Sequence, residues 1–240
     1  MKKVVYTAII GKYDKLKEPK VVSEGFDYVC FTDNVTLKST IWKIVPVTNP
    51  QGLDNSRLAR KIKILCNSVL KEYDLSIWID GSVSINCNLN KFLDEHYHGE
   101  DIVVLRHPER SCVYEELEAC IRIGKDDKEI MKRQVEGYRL EGYPEQNGLS
   151  ANTLLIRNHN SKKIDEFMNR WWEEIRLKSK RDQLSFNYVL WKQPISVGYC
   201  NFSHTFTSDF SWGRHKETKM EKIQSYKKKW IRRFSYIRNI

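Results

Sequence analysis

The chain has 240 residues, of which 40% are hydrophobic and 30% are charged, and its formal net charge is +10. This size and composition are typical of one domain with a sizeable core, alone or with a small appendage. No apolar run approaches the roughly 20 residues that cross a bilayer, so we expect no membrane-spanning helix.

Short apolar segments near the start of the chain predict strands. The run over residues 3–10 begins like a secretion signal, but Gly11 ends it early and no small-residue cleavage site follows. We therefore expect a first buried strand there. Residues 26–32 and 42–47 are predicted as the next two strands.

An amphipathic helix and a short strand follow. The helix is predicted from Asp54 or Asn55 to about Tyr73, because either residue can cap a helix and apolar side chains then recur along one face. The strand over residues 76–80 brings one carboxylate, Asp80, to its end. An ordinary turn is the alternative interpretation of the residues that follow it.

The rest of the chain continues to alternate between strands and helices. This alternation favours a single α/β domain over residues 1–215, with a mixed, mostly parallel central sheet flanked by helices. The chain beyond Pro194 is expected to be irregular up to a basic tail. Further strands are predicted over residues 83–85, 101–106 and 153–157, helices over 112–123, 126–140, 161–178 and 182–191, and a loop over 142–148.

The cysteines indicate neither a disulfide framework nor a zinc site. No pair has the C-x-x-C spacing, and several lie within apolar segments, where a free cysteine behaves as a small apolar residue. We therefore expect a reducing, cytoplasmic environment. The six cysteines are Cys30, Cys66, Cys87, Cys112, Cys120 and Cys200.

Candidate site residues cluster at predicted strand ends and helix starts. Ligands of open α/β sheets collect at the carboxyl ends of the strands. A carboxylate at such an end is suited to a hard cation or a ribose, and a basic helix is suited to a diphosphate. A turn, a helix cap and a solvated charged face are the structural alternatives. The candidates are Thr7, Ala8, Asp33, Arg57, Arg60, Lys61, Lys63, Asp80, Ser82, Asp182 and Gln183.

Several familiar catalytic motifs are missing from the sequence. Neither a P-loop nor a G-x-G-x-x-G segment is present, which argues against P-loop nucleotidases and dinucleotide enzymes. The esterase motif G-x-S-x-G is also missing. His107, His204 and His215 each lie near a predicted strand end or in a loop, where a histidine can be a metal ligand or simply structural.

A set of short motifs resembles one known group of proteins. This is the glycosyltransferase-like family of bacterial surface-polysaccharide proteins and plant mucilage-type proteins, which is similar to retaining glycosyltransferases of the GT-A fold. The resemblance extends to about Asp209. The motifs are Tyr6-Thr7-Ala8-Ile9-Ile10-Gly11-Lys12-Tyr13-Asp14, Phe31-Thr32-Asp33, Arg57 with Lys61, Ser76-Ile77-Trp78-Ile79-Asp80-Gly81-Ser82, His107-Pro108 with Arg110, and Arg181-Asp182-Gln183.

The resemblance implies a GT-A-like domain with a role for each candidate. Asp80 would bind a divalent cation, Mn²⁺ or Mg²⁺, although Ser82 replaces the second acid of the family's D-x-D motif. His204 or His215 would be the C-terminal metal ligand. Asp182 and Gln183 would line the sugar site. Thr7, Ala8 and Asp33 would hold the nucleoside, and the basic side chains Arg57, Arg60 and Lys61 would stabilise the leaving diphosphate.

The implied activity is transfer of a hexose from a nucleotide sugar, with UDP-sugars expected first. The acceptor would be a glycan or a lipid-linked sugar in surface polysaccharide synthesis, and the transfer would retain the anomeric configuration. We expect no nucleic-acid partner, because the charge is concentrated at one end of the chain and no recognised nucleic-acid motif is present. A catalytically inactive sugar-binding module is one alternative, because of Ser82, and a nucleic-acid-binding protein is another, because of the charge.

The C-terminal tail, residues 216–240, is strongly basic and contains aromatic side chains. Residues 216–238 include nine Lys or Arg against Glu217 and Glu221. Trp230, Phe234 and Ile237 would share one face of a helix, which is typical of an amphipathic helix on an anionic membrane surface. We therefore expect a peripheral protein on the cytoplasmic face of the membrane, with a helix packed on the domain as the alternative.

Overall fold

The computed structural model describes residues 1–11, 13–65, 69–159 and 161–212. Seven strands form one central sheet, and two short strands form a separate ribbon. The strands are β1 (Lys3–Ile9), β2 (Phe26–Thr32), β3 (Lys43–Pro46), β4 (Leu75–Ile79), β5 (Val83–Ile85), β6 (Ile102–Arg106), β7 (Ser150–Asn158), β8 (Val197–Asn201) and β9 (Phe210–Trp212).

The central sheet has the order β3-β2-β1-β4-β7-β6-β8. Its strands pair in parallel except β7, which runs antiparallel to both β4 and β6. The prediction of a mixed, mostly parallel α/β sheet is confirmed. Since all strands but β7 point the same way, their carboxyl ends meet at one edge, where β7 begins.

Helices cover both faces of this sheet. Strands β1 and β4 are buried on both faces, which explains their nearly continuous apolar sequences. On the first face, the core surrounds Tyr6, Trp78 and Trp171. On the second, it surrounds Val5, Ile77 and Phe210. The helices are α1 (Asn55–Leu65), α2 (Leu89–His96), α3 (Val113–Arg122), α4 (Lys128–Leu140), α5 (Lys162–Leu177), α6 (Phe186–Lys192) and α7 (Phe202–Ser208).

Some predicted boundaries were wrong. Helix α1 does not reach Tyr73, because residues 69–72 form turns and the backbone N–H of Asp74 already pairs with Lys2 at the edge of β4. The helix predicted over 182–191 divides into a 3-10 turn, Asp182–Leu184, and α6. Helix α2 was not predicted, although Asn88 caps it by accepting from the backbone N–H groups of Asn90 and Lys91.

The segment after Pro194 is also more regular than expected. It contains β8, α7 and β9. Strand β8 carries Gly198, where an added Cβ would lie 3.0 Å from Val103 Cγ2 and 3.1 Å from Glu100 Oε1. Close packing on β6, and not an apolar pattern, stabilises this strand, which is why its sequence gave a weak signal.

Two further observations concern the described residues as a whole. No helix in these ranges is long and apolar enough to cross a membrane. The five cysteines among them are free thiols. The tail over 216–240, with its predicted basic helix, lies outside the described residues.

Candidate functional site

A cleft of about 440 Å³ opens at the carboxyl edge of the sheet, beside the ends of β1 and β4. Helix α1 forms one wall, and the segment just before the 3-10 turn forms another. The cleft is lined by Ala8, Ile10, Gly11, Tyr13, Asp14, Asn55, Ser56, Ala59, Arg60, Lys63, Trp78, Asp80, Gly81, Ser82, Lys125, Lys180 and Arg181.

Two glycines shape the cleft floor at the strand ends. Gly11 has a φ of +66°, and an added Cβ would lie 2.0 Å from Asn55 Nδ2. At Gly81 an added Cβ would lie 2.6 Å from Ile9 Cδ1 and 3.1 Å from the carbonyl oxygen of Ala8. At both positions the backbone therefore turns where any side chain would collide with neighbouring atoms of the cleft wall.

Helix α1 directs its first turn at the cleft. Asp54 caps it, since its Oδ1 accepts from the backbone N–H of Arg57 at 3.0 Å. Asn55, Ser56 and Arg60 line the cleft, so the positive end of the helix dipole faces the cavity. A helix start combined with nearby cations favours an anionic ligand.

Lys63 connects two acidic residues at the base of the cleft. Its ammonium lies 2.6 Å from Asp182 Oδ2 and 3.9 Å from Asp80 Oδ1. Lys63 and Asp182 are buried, whereas 43% of the Asp80 side chain is exposed. Asp80 also accepts a hydrogen bond of 2.9 Å from Trp78 Nε1. Asp182 is thus locked within the protein, and Asp80 is presented to the cavity.

The two carboxyl groups differ in acidity. Burial alone would raise the pKa of Asp182, but the charges of Lys63, Arg60 and Arg181 hold that pKa well below its usual range. Loss of bulk solvent in the cleft raises the pKa of Asp80, Lys63 opposes this shift, and the charge of Asp182 adds to it. Asp182 therefore stays ionised, and Asp80 takes up a proton more readily than an ordinary aspartate.

Asn152 is a buried amide without a hydrogen-bond partner among the described residues. It lies on β7, and neither its Oδ1 nor its Nδ2 is satisfied. The backbone oxygen of Asn152 accepts from Lys63 Nζ, which places this residue beside the Lys63–Asp182 pair. Buried polar groups are nearly always paired, so this amide has unused hydrogen-bonding capacity beside the Lys63–Asp182 pair.

The predicted catalytic residue Gln183 forms part of the wall next to the cleft. Its Oε1 accepts from Arg181 Nη2, and its Nε2 lies 3.5 Å from the backbone oxygen of Ser150. Arg181 is in turn 3.4 Å from the buried carboxylate of Glu116. Gln183 itself does not line the cleft.

The cleft carries a positive charge. Among the described residues that line it, five are cationic and two are carboxylates, Asp14 and Asp80. A cavity with this excess of positive charge attracts anions, and its cations stabilise an anion that has left bulk water. The cations are Arg60, Lys63, Lys125, Lys180 and Arg181.

The structure unites only some of the residues predicted from the sequence. Ala8, Arg60, Asp80 and Ser82 line the cleft, and Asp182 contacts two of its cations. Asp33 lies at its margin, where both carboxylate oxygens accept from the Gly11 N–H at 3.1 Å.

Other predicted residues lie elsewhere. Thr7 is buried and alternates with Ala8, so it points to the opposite face of the sheet. Arg57 donates to the backbone oxygens of Ile175 and Lys178 at the end of α5, and Lys61 donates to Gln51. Helical phase explains this, since Arg60 and Lys63 share the cleft-facing side of α1.

The predicted metal ligands also separate. His204 lies on α7, where its ring groups with Glu95 and His96 of α2, all three ligand atoms within 4.8 Å of one another. Helices α2 and α7 cover the second face of the sheet, opposite Trp78 and Asp80. His215 lies outside the described residues.

A divalent cation is compatible with the cleft itself. Asp14, Asp80 and Ser82 offer oxygen atoms there, and hard cations such as Mg²⁺ and Mn²⁺ prefer oxygen ligands. The nearby ammonium of Lys63 weakens this site for a cation unless a ligand supplies further negative charge.

Sequence reasoning missed several residues in and beside the cleft. Lys63 was recognised only as one cation of a basic helix, and its burial depends on Asp182, 119 positions away. Asn152 sits within a strand pattern and gave no signal. Asp14 follows the first strand in the Gly11–Asp14 motif, which was the available clue. Lys125 and Lys180 lie in polar turns that resemble many others.

Comparison with known proteins gives a family match. The model of the TOD1/MUCI70 glycosyltransferase-like domain matches residues 1–204. A probable hexosyltransferase, MUCI70, from Arabidopsis thaliana is 25% identical over 213 residues, which covers 78% of this chain and 36% of the relative. The chain thus spans about a third of the length of that relative.

Proposed function

The chain belongs to the TOD1/MUCI70 glycosyltransferase-like family, and we propose that it transfers a hexose from a nucleotide sugar to a glycan. The observation that carries this proposal is the cationic cleft built around the Lys63–Asp182 pair, with Asp80 exposed beside it. A nucleotide sugar combines a diphosphate with a sugar, and the cleft offers groups that suit both.

The diphosphate fits the wall made by α1. Arg60 and the start of that helix line the cavity, and so do Lys180 and Arg181. Together they would neutralise a group with two negative charges. In the transfer, negative charge builds on the leaving phosphate oxygen, so cations placed there stabilise the transition state more than the bound donor.

The sugar fits the region between Asp80 and Asn152. The orphaned amide of Asn152 can both donate to and accept from sugar hydroxyls. Asp182 is ionised, buried and paired with Lys63 and Arg60, so we propose that it acts by holding these two cations of the cleft in place. Asp80 and Asn152 would orient the sugar without forming a covalent bond to it.

The proposed reaction exchanges one bond for another. The oxygen of an acceptor hydroxyl bonds to the anomeric carbon, and the bond from that carbon to the phosphate oxygen breaks. The electron pair leaves with the diphosphate, which also accepts the hydroxyl proton. By resemblance to GT-A enzymes, we propose UDP as the nucleotide and retention of the anomeric configuration.

A divalent cation is compatible with the proposed reaction. Asp14, Asp80 and Ser82 would hold it in the cleft, where it would neutralise the diphosphate as a Lewis acid. Since the single acidic motif residue Asp80 lies close to Lys63, we propose that the cation binds together with the donor and weakly without it.

We propose an acceptor in surface polysaccharide synthesis, either a glycan or a lipid-linked sugar, and a peripheral location on the cytoplasmic face of the membrane. The basic and aromatic residues of the tail, 216–240, support an anionic membrane as a partner. The anionic ligand expected in the cleft is a nucleotide sugar, and we propose no nucleic-acid partner.

Thermal-shift measurements test the donor site. We expect one class among UDP-, GDP-, CMP- and dTDP-sugars to raise the melting temperature in the presence of Mn²⁺, because a ligand that binds the native state stabilises it. Asp80→Asn should abolish the shift. Asp94→Asn, which alters an exposed carboxylate on α2, should keep it. No shift with any of these donors would contradict the proposal.

A further inference from the structure

We propose that a second pocket, of about 320 Å³ at the end of β6, binds the acceptor as an uncharged, hydroxyl-rich sugar residue. This inference rests on the proposed function, since it places the second substrate of the same reaction. Its volume lies at the lower end of the roughly 300–1,000 Å³ of small-molecule sites. The pocket is lined by Arg106, His107, Glu109, Arg110, Ser111, Glu115, Gln146, Gly148 and Leu149.

The sheet topology brings this pocket close to the donor cleft. Strands β4 and β6 run in the same direction with β7 between them, so Asp80 and Arg106 end at the same edge. Arg106 is paired with Ser150, and the N–H of Asp80 bonds to the backbone oxygen of Thr153. Neighbouring strands are about 4.8 Å apart, so the ends of β4 and β6 are separated by about 10 Å. Two adjoining sugar rings would bridge such a gap.

The two cavities share one wall. Buried Glu116 accepts from Arg110 Nε at 2.8 Å on the side of the second pocket. On the other side, Glu116 Oε1 lies 3.4 Å from Arg181, which lines the donor cleft and bonds to Gln183. Gln183 in turn reaches Ser150 at the start of β7. Gln183, one of the two residues that the sequence predicts as catalytic, therefore lies between the two proposed substrates.

The two cavities differ in charge. The donor cleft has a clear excess of cations, whereas in the second pocket Arg106 and Arg110 are balanced by Glu109 and Glu115. A balanced set of donors and acceptors suits hydroxyl groups, which both donate and accept, and gives no preference for an anion. This contrast distinguishes a neutral sugar site from a second phosphate site.

Gln146 holds an uncommon backbone conformation in this pocket. Its φ is 54°, and no other non-glycine residue in the described part of the chain has a positive φ. Its side chain accepts from Ser111 Oγ and donates to Glu115 Oε1 at 3.2 Å. Such conformations persist where surrounding contacts enforce them, and they concentrate at binding sites. Here the contacts aim an amide at the pocket.

His107 fixes the floor of the pocket. Its Nδ1 accepts from the backbone N–H groups of Glu109 and Arg110 at 3.2 and 3.1 Å. Burial lowers the pKa of His107, with the charge of Glu116 opposing the shift, so the ring is neutral at pH 7. The loop that carries Arg110 and Ser111 is thus held in one shape before any sugar binds.

Saturation-transfer NMR with p-nitrophenyl glycosides tests this site without any nucleotide. We expect at least one neutral hexoside to bind, and p-nitrophenyl glucuronide to bind no better. Gln146→Ala and, separately, Ser111→Ala should weaken binding about three- to tenfold, because each removes a hydrogen-bonding group from the pocket. Gln193→Ala, at the end of α6, is the matched control and should leave the affinity unchanged.

The outcomes separate this inference from the proposed function. Absence of binding by every neutral hexoside, preference for the glucuronide, or affinity unchanged in both pocket variants would overturn the acceptor site, even if a nucleotide sugar still stabilises the protein. Hexoside binding that depends on Gln146, with no nucleotide sugar bound, would instead overturn the transferase and leave a sugar-binding module.

Discussion

The ammonium of Lys63 lies 2.6 Å from the carboxylate of Asp182, and both side chains are buried. The same ammonium is 3.9 Å from Asp80, which faces the cavity. One cation from α1 therefore acts on two acids from distant parts of the chain: it keeps Asp182 ionised, and it only partly opposes the rise in the pKa of Asp80. Fold and site depend on each other here, because the buried Lys63–Asp182 ion pair is part of the protein interior and also forms the base of the cleft.

Removing Lys63 should destabilise the protein strongly. In Lys63→Met we expect the free energy of unfolding to fall by about 3–5 kcal/mol, because Asp182 keeps a buried charge without its closest partner. Adding Asp182→Asn should recover part of this loss. Urea unfolding of the two single variants and the double variant measures the coupling, and strictly additive losses would contradict the arrangement.

Gly11→Ala should distort the entrance to the cleft. The new Cβ would lie 2.0 Å from Asn55 Nδ2 and the φ of +66° disfavours a side chain, so we expect a loss of about 1–3 kcal/mol. Asn55→Ala in the same chain should restore part of it by removing the collision. Gly124→Ala is a control, since its φ is also positive but nothing lies within 4 Å of the added Cβ. Equal losses in Gly11→Ala and Gly124→Ala would exclude the steric effect.

The fold was largely predictable because its signals are local. The buried strands β1, β2 and β4 have continuous apolar runs, and helices such as α4 begin at a clear cap, Asp127. Strand β8 was missed because it is short, contains Gly198 and depends on pairing with β6. Tertiary packing, which a linear pattern does not contain, decides such elements.

The site was only partly predictable for a related reason. Asp80 stands at the end of an obvious strand, so its position followed from topology. Lys63 and Arg60 could be distinguished from Arg57 and Lys61 only by the exact phase of α1 against the sheet. Asn152 is notable for an unpaired buried amide, and Glu116 for its contacts with both Arg110 and Arg181. Neither feature can be recognised from the sequence, because both depend on the three-dimensional packing.

Stability should fall at acidic pH because of His159. Burial, together with the charge of Arg157, lowers the pKa of His159 from 6.5 to about 3. The unfolded chain binds a proton at this position below about pH 6.5, whereas the folded chain does so only near pH 3, so stability rises with pH between these values. His159→Gln should flatten this slope. Urea unfolding at pH 7, 5 and 4 checks it, and parallel pH profiles of variant and wild type would exclude the effect.

The tail should bind anionic membranes. Deleting residues 227–240 removes six of the tail's nine Lys or Arg together with Trp230 and Phe234, and each cation near such a surface contributes about 1 kcal/mol. We expect sedimentation with phosphatidylserine vesicles to be lost and the thermal stability of the domain to be unchanged. Neutral phosphatidylcholine vesicles are the control. Undiminished binding of the truncated chain to the anionic vesicles would refute this role.

Turnover of the donor tests whether the protein transfers a hexose. With the nucleotide sugar that stabilises the protein, Mn²⁺ and a hexoside acceptor, we measure release of the nucleoside diphosphate and formation of the new glycoside. We expect both products in equal amounts from the wild type, a loss of at least about 100-fold in Asp80→Asn, which removes a proposed cation ligand, and normal rates in Asp94→Asn. Donor binding without either product, or undiminished turnover in Asp80→Asn, would contradict the proposed function.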